Sequence, residues 1–168
     1  MKILDINNGE CKEHLSNEHG FGVNDCEWFA DDSDSHIITC SDDRSIKVWD
    51  VEMGKCVRTF NGHNGFVFSV KQHPDNGVII SGSFDCTIKM WDVRSKVGLT
   101  STNGSVNGSP LVTIAGHADP IVALDCNHGH AGRGREFVSG SLDGTVRIWD
   151  MASTRCLTTM NAENMPAM

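Results

Sequence analysis

Ile79-Ile80-Ser81-Gly82-Ser83-Phe84-Asp85-Cys86-Thr87-Ile88-Lys89-Met90-Trp91-Asp92 reads as two short strands joined by a tight turn. Val, Ile and Thr crowd its two halves, and Gly, Ser and Asp punctuate it. The same pattern occurs in IITCSDDRSIKVWD, from Ile37 to Asp50, and in FVSGSLDGTVRIWD, from Phe137 to Asp150. In each copy an Asp follows a Ser or Thr by four residues, and a Trp follows that Asp by six.

Self-similarity at a period of about 40–60 residues, ending in Trp-Asp, is the signature of a propeller blade of four strands. The expected fold is therefore an all-β propeller, incomplete, with about three full blades and half of another. Residues 1–18 read as the third and fourth strands of a partial blade, since Lys2-Ile3-Leu4-Asp5 aligns with Lys47-Val48-Trp49-Asp50. Residues 19–62, 63–116 and 117–160 are the three repeats, and 161–168 open a further one. Strands are expected at 23–28, 36–40, 45–49 and 56–60; at 67–72, 78–81, 87–91 and 111–114; and at 121–126, 136–139, 145–149 and 156–160. Two insertions break the period. Residues 96–110, rich in Ser, Thr, Asn and Gly, read as a flexible loop between the third and fourth strands of the second repeat. Residues 127–135 read as a Gly- and His-rich loop in the third. Closed propellers have about four to eight blades, so the expectation is a piece of a larger ring with uncovered blade faces.

The chain has 168 residues, with 22 acidic against 14 basic side chains and a formal charge of −8. A nucleic-acid surface needs clustered Lys and Arg, so direct binding of nucleic acid is not expected, and basic partners are. No apolar run is long enough for a membrane span, and no secretory signal is visible. Seven scattered cysteines make a poor disulfide framework and imply a reducing compartment. Cys11, Cys56 and Cys156 occupy equivalent places beside the outer strands and read as small apolar fillers.

Each repeat carries a His, a hydroxyl residue, an Asp and a Trp: His19, Thr39, Asp43, Trp49; His63, Ser81, Asp85, Trp91; and His117, Ser139, Asp143, Trp149. A Ser-His-Asp set invites a hydrolase reading, in which the His activates the hydroxyl and the Asp orients the His. The other reading is a structural hydrogen-bond relay from Asp through His and hydroxyl to the indole N–H. Three copies favour the relay, because an active site is needed once and a strut in every blade. No catalytic residue is therefore assigned. Cys126, His128, His130 and His117 do not make a zinc site, because no Cys-x-x-Cys or paired second half accompanies them; no metal or cofactor is expected. Phe66 and Phe68 bracket Val67 at the start of a first strand, and Phe84 precedes Asp85 in a turn. Phe68 and Phe84 are expected near the mouth of the central channel, where exposed rings beside an acid suit a guanidinium.

These motifs identify the chain as similar to the WD-repeat family of β-propellers, from about residue 2 to 160. The resemblance implies a non-catalytic scaffold that binds peptides inside a multi-subunit complex, in the nucleus or cytoplasm. Within the family, SDDRSIKVWDV, the Phe66-Val67-Phe68 stretch, SGSFD, His117-Ala-Asp-Pro-Ile and RIWDMAS most resemble the arginine-reading scaffold of the COMPASS/MLL histone methyltransferase complexes. That likeness implies a nuclear location and an Arg-containing peptide held by Phe68 and Phe84, with Phe66 beside them and Asp42 as the acidic residue. A substrate receptor of a ubiquitin ligase is the alternative within the binding class.

Overall fold

The computed structural model describes residues 2–4, 10–14, 18–29, 36–73, 77–93, 100–102, 105–127 and 135–161. Every regular element among them is a strand, so the chain is all-β. A short pair comes first, β1 (Lys2–Leu4) and β2 (Cys11–His14). The first full blade holds β3 (Val23–Phe29), β4 (His36–Ser41), β5 (Ser45–Asp50) and β6 (Lys55–Asn61). In the second are β7 (Val67–Gln72), β8 (Val78–Ser83), β9 (Thr87–Asp92) and, after the hairpin β10 (Thr100–Thr102) and β11 (Ser105–Gly108), β12 (Val112–Ala115). The third is β13 (Ile121–Cys126), β14 (Glu136–Ser141), β15 (Thr145–Asp150) and β16 (Cys156–Asn161). Each blade is an antiparallel meander, β3-β4-β5-β6, β7-β8-β9-β12 or β13-β14-β15-β16.

The blades stack in sequence because each offers the next an apolar sheet face. Ile38, Ile46, Val48 and Phe60 of the first blade form one buried cluster with Val67, Val70, Ile79 and Trp91 of the second. Ile80, Ile88, Met90 and Ile114 of the second do the same with Ile121, Leu124, Phe137 and Trp149 of the third. At the second joint the approach is so close that a Cβ on Gly82 would lie 2.6 Å from the Ile121 side chain. The first joint is also polar. Asp25 of β3 accepts from Ser69 Oγ and Val70 N–H, each at 3.1 Å, and Glu27 accepts from Gln72 N–H at 2.7 Å.

Two expectations are corrected. The insertion at 96–110 is not simply a loop: β10 and β11 pair, and β11 runs parallel to β6, with Val106 opposite Arg58 and Gly108 opposite Phe60. The outer strand of the first blade had an open row of backbone donors and acceptors, and the insertion of the second blade satisfies it. The last strand of that blade lies one residue later than expected, at Val112–Ala115. Of the three cysteines read as fillers only Cys56 is buried, under Ile3 of β1, while Cys11 and Cys156 are exposed. Cys156 lies on β16, an edge strand whose side chains are all exposed. The loop at 128–134 and the opening repeat at 162–168 lie outside the described residues.

Candidate functional site at the turn end of the blades

One end of the arc is built from the turns between second and third strands and the loops that enter each first strand. A backbone hydrogen bond joins turn to loop in every blade: Asp42 N–H to Gly22 O, Phe84 N–H to Phe66 O, and Leu142 N–H to Pro120 O, at 3.0, 2.8 and 3.0 Å. The turns share a left-handed residue, Arg44, Cys86 or Gly144, with φ of 69°, 63° and 77°. In the second and third blades the residue before the Asp, Phe84 or Leu142, is exposed, whereas Asp42 of the first is half-buried. Each first strand opens with a bulge, since the register slips between Val23 and Asp25, Val67 and Ser69, and Ile121 and Ala123. The extra residue is Asn24, Phe68 or Val122, left unpaired in the ladder and free to project from it.

The His, hydroxyl, Asp and Trp sets meet in all three blades. Asp43, Asp85 and Asp143 lie 2.7, 2.8 and 2.8 Å from Nδ1 of His19, His63 and His117. Nε2 of each His is 2.7 Å from Thr39, Ser81 or Ser139, and Trp49, Trp91 and Trp149 donate to the same hydroxyl oxygens at 2.8, 2.9 and 2.8 Å. An ionised carboxylate only accepts, so Nδ1 carries the proton; a neutral imidazole then accepts the hydroxyl proton at Nε2. The direction of donation runs from indole to hydroxyl to His to Asp. The second carboxylate oxygen accepts from Ser45, Thr87 or Thr145 at 2.6 Å. Burial alone would raise these carboxyl groups, but hydrogen bonds from the His and from Ser45, Thr87 or Thr145 outweigh it and hold all three below the usual carboxylate range. Burial lowers His19, against the pull of Asp43. Thr39, Ser81 and Ser139 have no exposed surface, so no substrate reaches their hydroxyl oxygens.

The aromatic candidates lie together. Phe66 and Phe84 are 44% and 53% exposed, Phe68 is half-buried, and Phe84 contacts both others. The Phe68 and Phe84 ring centres are 6.2 Å apart at 71°, an edge-to-face contact, and Phe66 and Phe84 are 6.0 Å apart at 49°. A planar cation between two parallel rings needs a wider, open slot, so the rings as they stand touch each other instead of bracketing one. Asp42 is one blade away, and its carboxylate accepts from Asn24 Nδ2 at 2.8 Å. The same amide donates to Val67 O at 2.9 Å, which ties Asp42 to the second blade. Phe21, 72% exposed, was missed in the sequence. Its signal is a mismatch between repeats: it stands two residues after His19, where the other blades have Gly65 and Asp119. Of the weak zinc set, His117 is engaged with Asp143 and Ser139, and burial pushes the Cys126 thiol up to about 12. His128 and His130 lie outside the described residues.

The family model for the WD domain, G-beta repeat, matches residues 9–50, 54–92 and 108–150. The chain belongs to the WD-repeat family. It is 32% identical over 149 residues to mitochondrial division protein 1 of Neurospora crassa, an alignment covering 74% of the chain and 22% of that protein. It is 32% identical over 120 residues to the CCR4-associated factor 4 homolog of Candida glabrata, covering 71% of the chain and 19% of that protein. Nuclear distribution protein PAC1 of Arthroderma otae is 28% identical over 142 residues, covering 80% and 31%. The chain thus spans under a third of the length of these relatives. None of their names points to a histone methyltransferase complex, so the finer resemblance drawn from the motifs, and the preference for a nuclear location that came with it, find no support there.

Proposed function

We propose that this chain is a non-catalytic docking scaffold whose turn end takes basic, Arg-containing segments of partner proteins. The observation that carries the reading is the row of Phe66, Phe84 and Phe68, two of its rings open to solvent, with Asp42 across a cleft that Phe66 also lines. An exposed ring face attracts a cation by about 0.5–1 kcal/mol, and a nearby carboxylate adds a charge-assisted hydrogen bond. Phe68 meets Phe84 edge-to-face and so holds its ring; the guanidinium stacks on the open face of Phe84 without entering between the rings, and loss of Phe68 frees the ring it stacks on. A guanidinium is planar and weakly hydrated, which favours Arg over Lys on such a surface. The His, hydroxyl and Asp sets are struts in this reading, since their hydroxyl groups are buried and donate inward. It does not extend to a histone methyltransferase complex.

Calorimetric titration of the full chain with a capped Arg peptide and its Lys counterpart tests the proposal. Tighter binding of the Arg peptide, weakened by Phe68→Ala, is expected. Equal affinity for both peptides, or indifference to Phe68, would mean that the rings are packing residues.

A further inference from the structure

A cleft of about 450 Å³ opens on the same end, at the joint between the first and second blades, lined by Phe21, Asp42, Asp43, Arg44 and Phe66. Its size falls within the range of small-ligand pockets, roughly 300–1,000 Å³. It shares Phe66 and Asp42 with the docking row, but neither Phe68 nor Phe84 lines it. We propose that this cleft is a second subsite, which takes a neutral apolar side chain, of leucine to tryptophan size, from an extended segment of a partner protein. The proposal rests on reading this end of the arc as a docking face.

The chemistry of the lining selects that occupant. Phe21 and Phe66 supply the apolar walls, and both are substantially exposed in the free chain. Asp43 is already engaged by His19, Ser45 and the Gly20 N–H, so it offers the ligand little. Asp42, with one oxygen taken by Asn24 Nδ2, and Arg44 remain, one anion and one cation. A cationic side chain in the cleft meets Arg44, and an anionic one meets Asp42. A neutral side chain meets neither penalty, and its own peptide group has one N–H and one C=O to place. Asp42 accepts the first and Arg44 donates to the second. The backbone polar groups of the ligand therefore stay satisfied while its side chain leaves water between two rings. Arg44 is held in a left-handed turn, which fixes where its side chain leaves the backbone.

The test uses the full chain, isotopically labelled, and capped Gly-Ser pentapeptides with Trp, Leu, Lys, Glu or Gly at the centre. Amide shifts on titration report both affinity and place. Trp and Leu peptides should move Phe21, Asp42, Arg44 and Phe66, with little dependence on salt, and Gly should not. Phe21→Ser, at an exposed position, should weaken that binding about tenfold. Phe68→Ala should leave it unchanged, although it weakens the Arg peptide. Stronger binding of the Lys or Glu peptide, shifts equal to those of the Gly control, or no binding of any peptide would overturn the subsite. A loss of Arg-peptide selectivity with apolar binding intact would instead count against the basic docking reading alone.

Discussion

Asp85 shows what a single side chain does here. Its carboxylate accepts from His63, Thr87 and the Asn64 N–H, all within 2.9 Å, and His63 passes the interaction on to Ser81 and Trp91. Asp85→Ala leaves a buried imidazole and a backbone donor without their acceptor, which costs about 1–3 kcal/mol. Urea unfolding of the variant measures it, and an unchanged midpoint would remove the strut from the account. The pH dependence has the same origin. Asp43, Asp85 and Asp143 sit below their ordinary value of 3.8 when folded, so the unfolded chain binds more protons in that range. Their contribution is complete above 3.8 and is lost as pH falls through the folded values. His19, lowered from 6.5 chiefly by burial, adds a milder loss below that value. Melting temperature followed downward from neutral pH should therefore decline in two stages, the steeper at the acid end. The sequence made these residues legible because they recur. It could not show that the hydroxyl groups are sealed, since burial depends on the neighbouring blade.

At the scale of the element, the strands of the three blades are written in their alternation and turn residues, and the observed bounds fall within one or two residues of the expected ones. What the pattern hid was pairing between distant segments. β10 and β11 lack a hydrophobic signature in the sequence, and their pairing with each other and with β6 is a main-chain ladder. Replacing Thr100–Gly108 with a short Gly-Ser linker should speed hydrogen exchange in β6, at Arg58 to Phe60, while the core strands β4 and β5 keep their protection. Unchanged exchange along β6 would mean that the parallel pairing is not populated in solution. The bulges were equally hidden. They follow from the local register and place Phe68, Asn24 and Val122 by geometry that residue types alone do not reveal.

The three blades are joined by repeated interfaces, and among the described residues nothing covers the far face of the third. Val146 and Met160 are 40% and 45% exposed, whereas their counterparts Ile88 and Ile114 in the second blade are 1% and 5% exposed. Val146→Lys should therefore leave stability nearly unchanged and reduce self-association in light scattering. Ile88→Lys buries a charge at the joint with the third blade and should cost several kcal/mol, enough to unfold a marginal chain. Equal effects at the two sites would contradict the stacking account.

Phe84 brings the scales together, because its ring is the most open of the three in the proposed docking row. The decisive measurement is the affinity of Phe84→Ala for the capped Arg peptide, with its unfolding curve as the reference for folding. The account predicts binding weakened about two- to fivefold, equivalent to roughly 0.5–1 kcal/mol, while the unfolding midpoint hardly moves. A large loss of stability with affinity unchanged would contradict it, and would make Phe84 part of the fold and not of a docking face.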